Sequence, residues 1–138
     1  MYKIPEQFDV SETDFDGFPL IANINLALRD CPHREATPWL LSISTPLSRP
    51  TPKGLPSRQE ADALNGWEAA VEREIGVVPF VFVGRVTWNG NRELLYYLKE
   101  PESPVRRLQA LIDSRSTRPF AFRCEKDEAW LKVAVYFA

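Results

Sequence analysis

The order of predicted elements in this 138-residue chain indicates an α+β protein, a ferredoxin-like two-layer sandwich with one extra N-terminal strand. Three observations predict it. An Asn89-Gly90 pair separates two strand-like runs, a capped helical pattern lies on each side of that hairpin, and strand-like runs lie beyond both helices. With right-handed crossovers, this order places two helices on one face of an antiparallel sheet. We expect a single domain spanning 1–138.

The N-terminal part of the chain predicts a lead-in segment and then two strands. Residues 1–16 carry five carboxylates against one lysine, which is typical of a lead-in or a short edge strand. Apolar residues alternate through 20–28, and a second run over 39–45 has strand character. We expect these two strands to pair antiparallel.

Four prolines within 46–56 predict a loop, because proline removes backbone donors and fixes φ. Its length makes it either a functional loop or a surface excursion without a partner. Ser57 and Glu60 then form a capping box that opens a helix over 57–75. The apolar stripe of this helix is expected to lie against the sheet, and consists of Leu64, Trp67, Val71 and Ile75.

The hairpin strands, 81–88 and 91–98, predict two side-chain faces from a two-residue turn. One face consists of Val81, Val83, Arg85, Arg92, Leu94, Tyr96 and Leu98. The other consists of Phe82, Val86, Trp88, Glu93, Leu95 and Tyr97. We expect the helices to cover one of these two faces, and the sequence pattern does not identify which one. The other is either an open aromatic groove or is covered by terminal segments or a second subunit.

A second helix is predicted over 103–113, with Ser103 as the N-cap and Pro104 in the first turn. Its buried stripe consists of Val105, Leu108, Leu111 and Ile112. A strand follows at 120–124, where aromatic and apolar residues alternate with polar ones.

The C-terminal run, 131–137, is apolar, and its pattern fits a helix or a strand equally. We expect Asp127 to accept a backbone hydrogen bond that starts this segment, and Trp130 to be mostly buried. Both residues would then have a structural role.

Composition limits the class of protein. A net charge of −2 disfavours a dedicated nucleic-acid binder. The N-terminus lacks the features of a signal peptide, and no apolar run is long enough to span a membrane, so we expect a cytoplasmic protein. Cys31 and Cys124 are isolated in sequence, which favours two free thiols over a disulfide.

Few residues point to catalysis. His33 is the single histidine, and there is no nucleophile motif or phosphate-binding glycine loop. We therefore predict no catalytic residue, no metal and no cofactor. A hydrolase or transferase with a carboxylate-based site is the alternative, and titratable residues converging in a deep pocket would favour it.

The leading hypothesis is a regulatory or interaction domain that binds a protein partner. The predicted contact surface is the open sheet face and the hairpin tip together with the proline-rich loop, and its residues are Arg49, Lys53, Trp88, Arg92 and Tyr97. Homodimerisation through the same surface is an alternative. Weak RNA binding through Arg115, Arg118 and Arg123, with Phe120 and Phe122, is another.

Several motifs in order and spacing resemble a bacterial family catalogued as domain of unknown function number 695. They are Gly17-Phe-Pro19, Pro38-Trp-Leu-Leu41, Gly54-Leu-Pro56, Val83-Gly-Arg-Val-Thr87, Asn91-Arg-Glu-Leu-Leu-Tyr-Tyr97 and Asp127-x-x-Trp130. That family has no established activity. The hairpin and the C-terminal third also resemble the regulator-of-ribonuclease-E-activity B family, which implies a ferredoxin-like protein that binds and inhibits a nuclease. Neither resemblance supplies catalytic residues.

Overall fold

The structure is a computed structural model that describes residues 5–138, and its centre is a six-stranded antiparallel sheet. The strands are β1 (Phe8–Phe15), β2 (Phe18–Asn25), β3 (Trp39–Pro46), β4 (Phe80–Trp88), β5 (Asn91–Leu98) and β6 (Ala121–Lys126). The α-helices are α1 (Arg58–Ile75) and α2 (Glu102–Ser114), and the 3-10 segments are Leu26–Asp30, Arg34–Ala36 and Leu131–Phe137. The mixed α+β class is confirmed.

The strand order is β1-β2-β4-β5-β3-β6, with every neighbouring pair antiparallel. The expected pairing of 20–28 with 39–45 is wrong. β2 pairs with β1 and β4, whereas β3 lies between β5 and β6. The strand predicted over 20–28 ends at Asn25, because its side chain accepts the Ala27 N–H and starts a 3-10 segment.

The acidic lead-in predicted for 1–16 is a strand over half of its length, Phe8–Phe15, and residues 1–4 lie outside the described part of the chain. Asp16 and Gly17 both have positive φ, so β1 and β2 form a tight hairpin of the type I′ kind. Asn89 and Gly90 make the same kind of turn between β4 and β5, which confirms the predicted hairpin.

Both α-helices lie on one face of the sheet and close the first hydrophobic core. Leu64, Trp67 and Val71 are buried there as predicted, and Trp67 is only 5% exposed. The strand residues of this core are Leu41, Ile43, Leu94, Tyr96 and Leu98.

A second core covers the opposite face, so the expected open aromatic face is wrong. The 3-10 segments bring Leu28, Trp130, Val133 and Phe137 over the sheet. The run 131–137, whose state the sequence left open, is therefore a 3-10 segment that encloses this core. The alternative that terminal segments cover the aromatics describes this face correctly.

A β-bulge in β4 overturns part of the predicted side-chain alternation. The register shifts between Phe82 and Gly84, so that Phe82 pairs with Tyr96. Val81 and Val83 consequently join the second core, whereas Phe82 packs against the first. The bulge adds one residue to β4 and reverses the face of the residues before it.

The predicted helix caps are partly confirmed. Ser57 Oγ accepts the Glu60 N–H at 3.1 Å, as a capping box requires, but the Glu60 carboxylate binds elsewhere. Helix α2 begins after Pro101, and the Glu100 carboxylate accepts the Glu102 N–H at 2.8 Å. Ser103 is therefore inside the first turn rather than its N-cap. None of the helices in the described part of the chain is long and apolar enough to cross a membrane.

Candidate functional site

Two hairpin turns and the proline-rich loop meet at one end of the sheet, which we call the turn end (residues 15–17, 48–54 and 88–90). β2 and β4 are antiparallel with Leu20 opposite Trp88, so the β1–β2 and β4–β5 turns lie side by side. The proline-rich loop folds onto the β4–β5 turn through backbone hydrogen bonds to Gly90. The turn end therefore joins three separate segments of the sequence.

The proline-rich loop is attached to the β4–β5 turn by backbone hydrogen bonds. Leu47 N–H donates to the Gly90 carbonyl at 2.8 Å, and Gly90 N–H donates to the Gly54 carbonyl at 2.9 Å. Gly54 has φ +78°, and a Cβ there would lie 2.7 Å from the Asn89 Cα atom. Only glycine allows the loop to approach the turn this closely.

A buried ion pair holds the start of the same loop. The Glu60 carboxylate accepts the N–H groups of Ser48 and Arg49, and Arg118 Nη2 donates to it at 2.6 Å. Arg118 also donates to Thr45 Oγ1 at 3.1 Å. Burial opposes ionisation of Glu60, but the hydrogen bonds from Ser48, Arg118 and Arg49 outweigh it and lower its pKa to about 2.

Three of the five predicted contact residues lie at the turn end. Arg49 and Lys53 are exposed on the loop, and within residues 5–138 neither forms an ion pair. Trp88 is half-buried. Its Nε1–H donates to the Phe15 carbonyl at 2.9 Å, and the two rings meet edge to face at 5.3 Å.

Arg92 lies on the helix face rather than beside Trp88. Its Nε–H donates to Thr87 Oγ1 at 2.7 Å, and the side chain is half-buried. Burial and the neighbouring guanidinium of Arg85 lower the pKa of Arg92. Arg92 and Trp88 thus lie on opposite faces of the hairpin, as the alternation predicts, and the role of Arg92 in partner binding stays a prediction.

Tyr97 is 0% exposed, so its predicted place on an open surface is wrong. Its ring stacks on Trp130 at 4.3 Å, and its hydroxyl donates to Asp127 Oδ2 at 2.6 Å. The Asp127 carboxylate also accepts the N–H groups of Leu131 and Lys132. The predicted structural roles of Asp127 and Trp130 are confirmed, because together they fasten the C-terminal segment over the second core.

Two of the three arginines considered for RNA binding, Arg115 and Arg118, line one cavity of about 470 Å³ together with Phe120. Arg118 is committed to Glu60, and Phe120 is buried in the first core. Arg123 lies opposite Ser42 on the other face of the sheet, and Arg115 ends α2. The structure thus separates Arg123 from the other two arginines, and RNA binding stays a prediction.

The described residues contain no cluster of three or more histidine, cysteine or acidic side chains that could hold a metal ion. Cys31 and Cys124 are free thiols, as predicted. Burial and the nearby Glu125 raise the pKa of Cys124 to about 11, so its thiol is a poor nucleophile at neutral pH.

Sequence reasoning missed Phe15 and the anchoring role of Glu60. The Asp16-Gly17 pair was the signal for Phe15, because an Asp-Gly turn places the preceding residue at the end of a hairpin. No comparable signal identifies Glu60, whose partners lie 11, 12 and 58 residues away in the chain.

Comparison with known proteins identifies a family but no function. The family of unknown function DUF695 matches residues 7–137. No curated protein and no solved structure matches the chain. The further resemblance to the regulator-of-ribonuclease-E-activity B family stays a prediction. Because the match covers nearly the whole sequence, the chain belongs to this family of unknown function.

Proposed function

We propose that this is a small cytoplasmic interaction domain that binds a protein partner through the turn end. The observation that carries the proposal is the state of the proline-rich loop. Residues 48–53 are all exposed, although the loop is fixed by Glu60 at its start and by Gly54 at its end. A loop held in one conformation while its side chains face solvent is suited to recognition, because little ordering is left to occur on binding.

The side chains at the turn end are of the kinds that dominate protein interfaces. Phe15 is 55% exposed beside Trp88, and Arg49 and Lys53 add positive charge without an internal ion-pair partner in residues 5–138. Aromatic residues and arginine are enriched among residues that contribute most binding energy. The positive charge favours a partner with an acidic surface.

Four consecutive strands of the sheet, from β4 to its β6 edge, support the finer fold assignment that we propose, a ferredoxin-like unit. Their order is β6-β3-β5-β4, all antiparallel, with α1 connecting β3 to β4 and α2 connecting β5 to β6. Both helices lie on one face. The β1–β2 hairpin extends this unit beyond β4, and its turn contributes Phe15 to the turn end.

Quantitative affinity capture with paired variants tests the proposal. Phe15→Ala and Lys53→Glu are expected to deplete the same captured proteins, whereas Leu131→Ala and Arg106→Glu, at exposed positions elsewhere, retain them. All four variants are expected to keep the wild-type melting temperature. Identical capture by wild type and both turn-end variants would show that this surface is not the binding site. Light scattering across a concentration series separates a foreign partner from a homodimer.

A second candidate function, a carboxylate-based hydrolase, is favoured by one polar cavity. It measures about 220 Å³ and lies between the sheet and the C-terminal 3-10 segment. Ser42 Oγ donates to the Glu93 carboxylate at 2.6 Å within it, as a nucleophile does to a base. Ester substrates test this candidate, since Ser42→Ala and Glu93→Gln would each abolish any turnover that the wild type shows.

A further inference from the structure

The outer edge of β1 is open in the part of the chain that the structure describes. All eight residues from Phe8 to Phe15 are exposed, and β1 pairs only with β2 within the described chain. Phe15 faces Phe18 across the tight turn, so odd-numbered residues direct their backbone groups towards β2. The Leu26 N–H bond to the Gln7 carbonyl fits this register. The backbone N–H and C=O groups that point outward belong to Phe8, Val10, Glu12 and Asp14.

This edge is strongly acidic. Between Pro5 and Leu28 the sequence has five carboxylates and no lysine or arginine. In residues 5–138 none of these carboxylates forms an ion pair. Two copies of β1 that paired with each other would bring like charges together, which is destabilising. The charge instead favours a basic strand.

A cavity of about 310 Å³ lies at the Phe8 end of the strand, opposite the turn end. Aromatic rings and two carboxylates contribute to its lining, which consists of Glu6, Phe8, Asn25, Glu72, Phe80, Val81 and Phe82. The Phe8 and Phe82 rings are 5.8 Å apart. Such a lining suits a long cationic side chain, because the rings contact its alkyl part and attract its charge while a carboxylate pairs with its end.

Two details of the cavity lining favour the binding of a cationic side chain. Glu72 is half-buried, and in residues 5–138 it has neither an ion-pair partner nor a side-chain hydrogen bond. Burial and the neighbouring Glu68 raise its pKa, and the nearby Arg85 guanidinium offsets them only in part. The Arg85 guanidinium already lies 5.0 Å from the Phe82 ring centroid, so this aromatic cluster accepts positive charge within the protein.

We propose that the β1 edge and this cavity bind an extended, basic segment of a partner protein. The segment adds to the sheet beside β1, and one of its lysine or arginine side chains enters the cavity towards Glu72. The site lies at the other end of β1 from Phe15 and does not rest on the proposed function of the turn end. The opposing interpretation is that the edge carboxylates only prevent unwanted strand pairing.

The test is fluorescence anisotropy with a labelled peptide that alternates lysine and valine, compared with the same peptide carrying glutamate for lysine. Saturable binding of the lysine peptide alone is expected. Val10→Pro removes an outward N–H without breaking a bond to β2, and is expected to weaken binding at least tenfold. Val10→Ala keeps that N–H and is the matched control.

Glu72→Gln tests the cavity separately and also covers the case in which Val10→Pro does not fold. We expect about a tenfold loss of affinity, with no loss for the exposed control Glu128→Gln. Lys53→Glu should leave peptide affinity unchanged, which separates this site from the turn end. No saturable binding, or binding unaffected by both Val10→Pro and Glu72→Gln, overturns the proposal. Light scattering that shows a wild-type oligomer and a Val10→Pro monomer also overturns it, because a second copy then occupies the edge.

Discussion

Glu60→Gln tests the anchor of the proline-rich loop while keeping the size of the side chain. In the folded protein the pKa of Glu60 falls from the ordinary 4.5 to about 2. That difference corresponds to about 3 kcal/mol of folding free energy at neutral pH. This value agrees with the cost of removing one partner from a buried ion pair, which is about 3–5 kcal/mol of folding free energy. The variant is therefore expected to lose about 3 kcal/mol of stability at pH 7.

The pH dependence has a definite sign. Because folding lowers the pKa of Glu60, its contribution is complete above pH 4.5 and is lost as the pH falls towards about 2. Urea unfolding of wild type and variant should thus differ by about 3 kcal/mol at neutral pH and converge in acid. Glu128→Gln, an exposed control, should stay within about 0.5 kcal/mol of wild type. An equal loss at both ends of this range would refute an ionic anchor.

The same variant links stability to the loop. The N–H groups of Ser48 and Arg49 donate to the Glu60 carboxylate, so their hydrogen exchange should accelerate in Glu60→Gln. The Gly90 N–H, which donates to Gly54, should exchange at the wild-type rate. If all three amides accelerate equally, Glu60 acts through global stability alone and does not specifically hold the start of the loop.

Three further substitutions test the cores and the turn. Trp67→Ala should cost about 3–5 kcal/mol in urea unfolding, since Trp67 is buried between α1 and the sheet; a loss below about 1 kcal/mol would contradict this packing. Gly54→Ala should lower the melting temperature, because the new Cβ meets Asn89 Cα at 2.7 Å at a positive φ; an unchanged value would argue against the close approach. Tyr97→Phe should cost about 1–3 kcal/mol by leaving the Asp127 carboxylate short of a donor. In an alkaline absorbance titration, Tyr97 should resist ionisation because burial and the bond to Asp127 raise its pKa; normal titration of every tyrosine would contradict this.

Local signals in the sequence predicted the elements well, and non-local contacts account for the errors. Asn89-Gly90 specifies its own turn, and Ser57 caps α1 with a residue three positions away. One pairing partner of β2 is β4, which lies more than 50 residues later in the chain. No short sequence pattern specifies a pairing over that distance. Prediction of the pairing therefore failed where prediction of the strands succeeded.

The β-bulge in β4 explains why the predicted side-chain faces of that strand were partly wrong. Gly84 is the residue at which β4 changes register, and a Cβ there would lie 2.3 Å from the Asn23 carbonyl oxygen. A glycine inside a strand pattern is a recognised sign of a bulge or of close backbone approach. The sequence-based prediction assumed strict alternation through Gly84 and therefore placed Val81 and Val83 on the wrong face of the sheet. Tyr97 was assigned to the correct side of β5, but the segment that buries it is a 3-10 helix, whereas its sequence pattern fits an α-helix or a strand equally.

The distribution of charge supports recognition more than catalysis. Catalytic groups are usually held in clefts with perturbed pKa values and no committed partner. Two of the strongly perturbed groups are structural, since Glu60 is committed to Arg118 and Tyr97 to Asp127. A third, Tyr96, has a pKa raised by burial, and its hydroxyl lacks a hydrogen-bond partner among the described residues. Charges without ion-pair partners in residues 5–138 instead include Arg49 and Lys53 on the loop and the carboxylates of β1. Such charges keep their hydration until a partner arrives, which is the arrangement that favours fast and specific association.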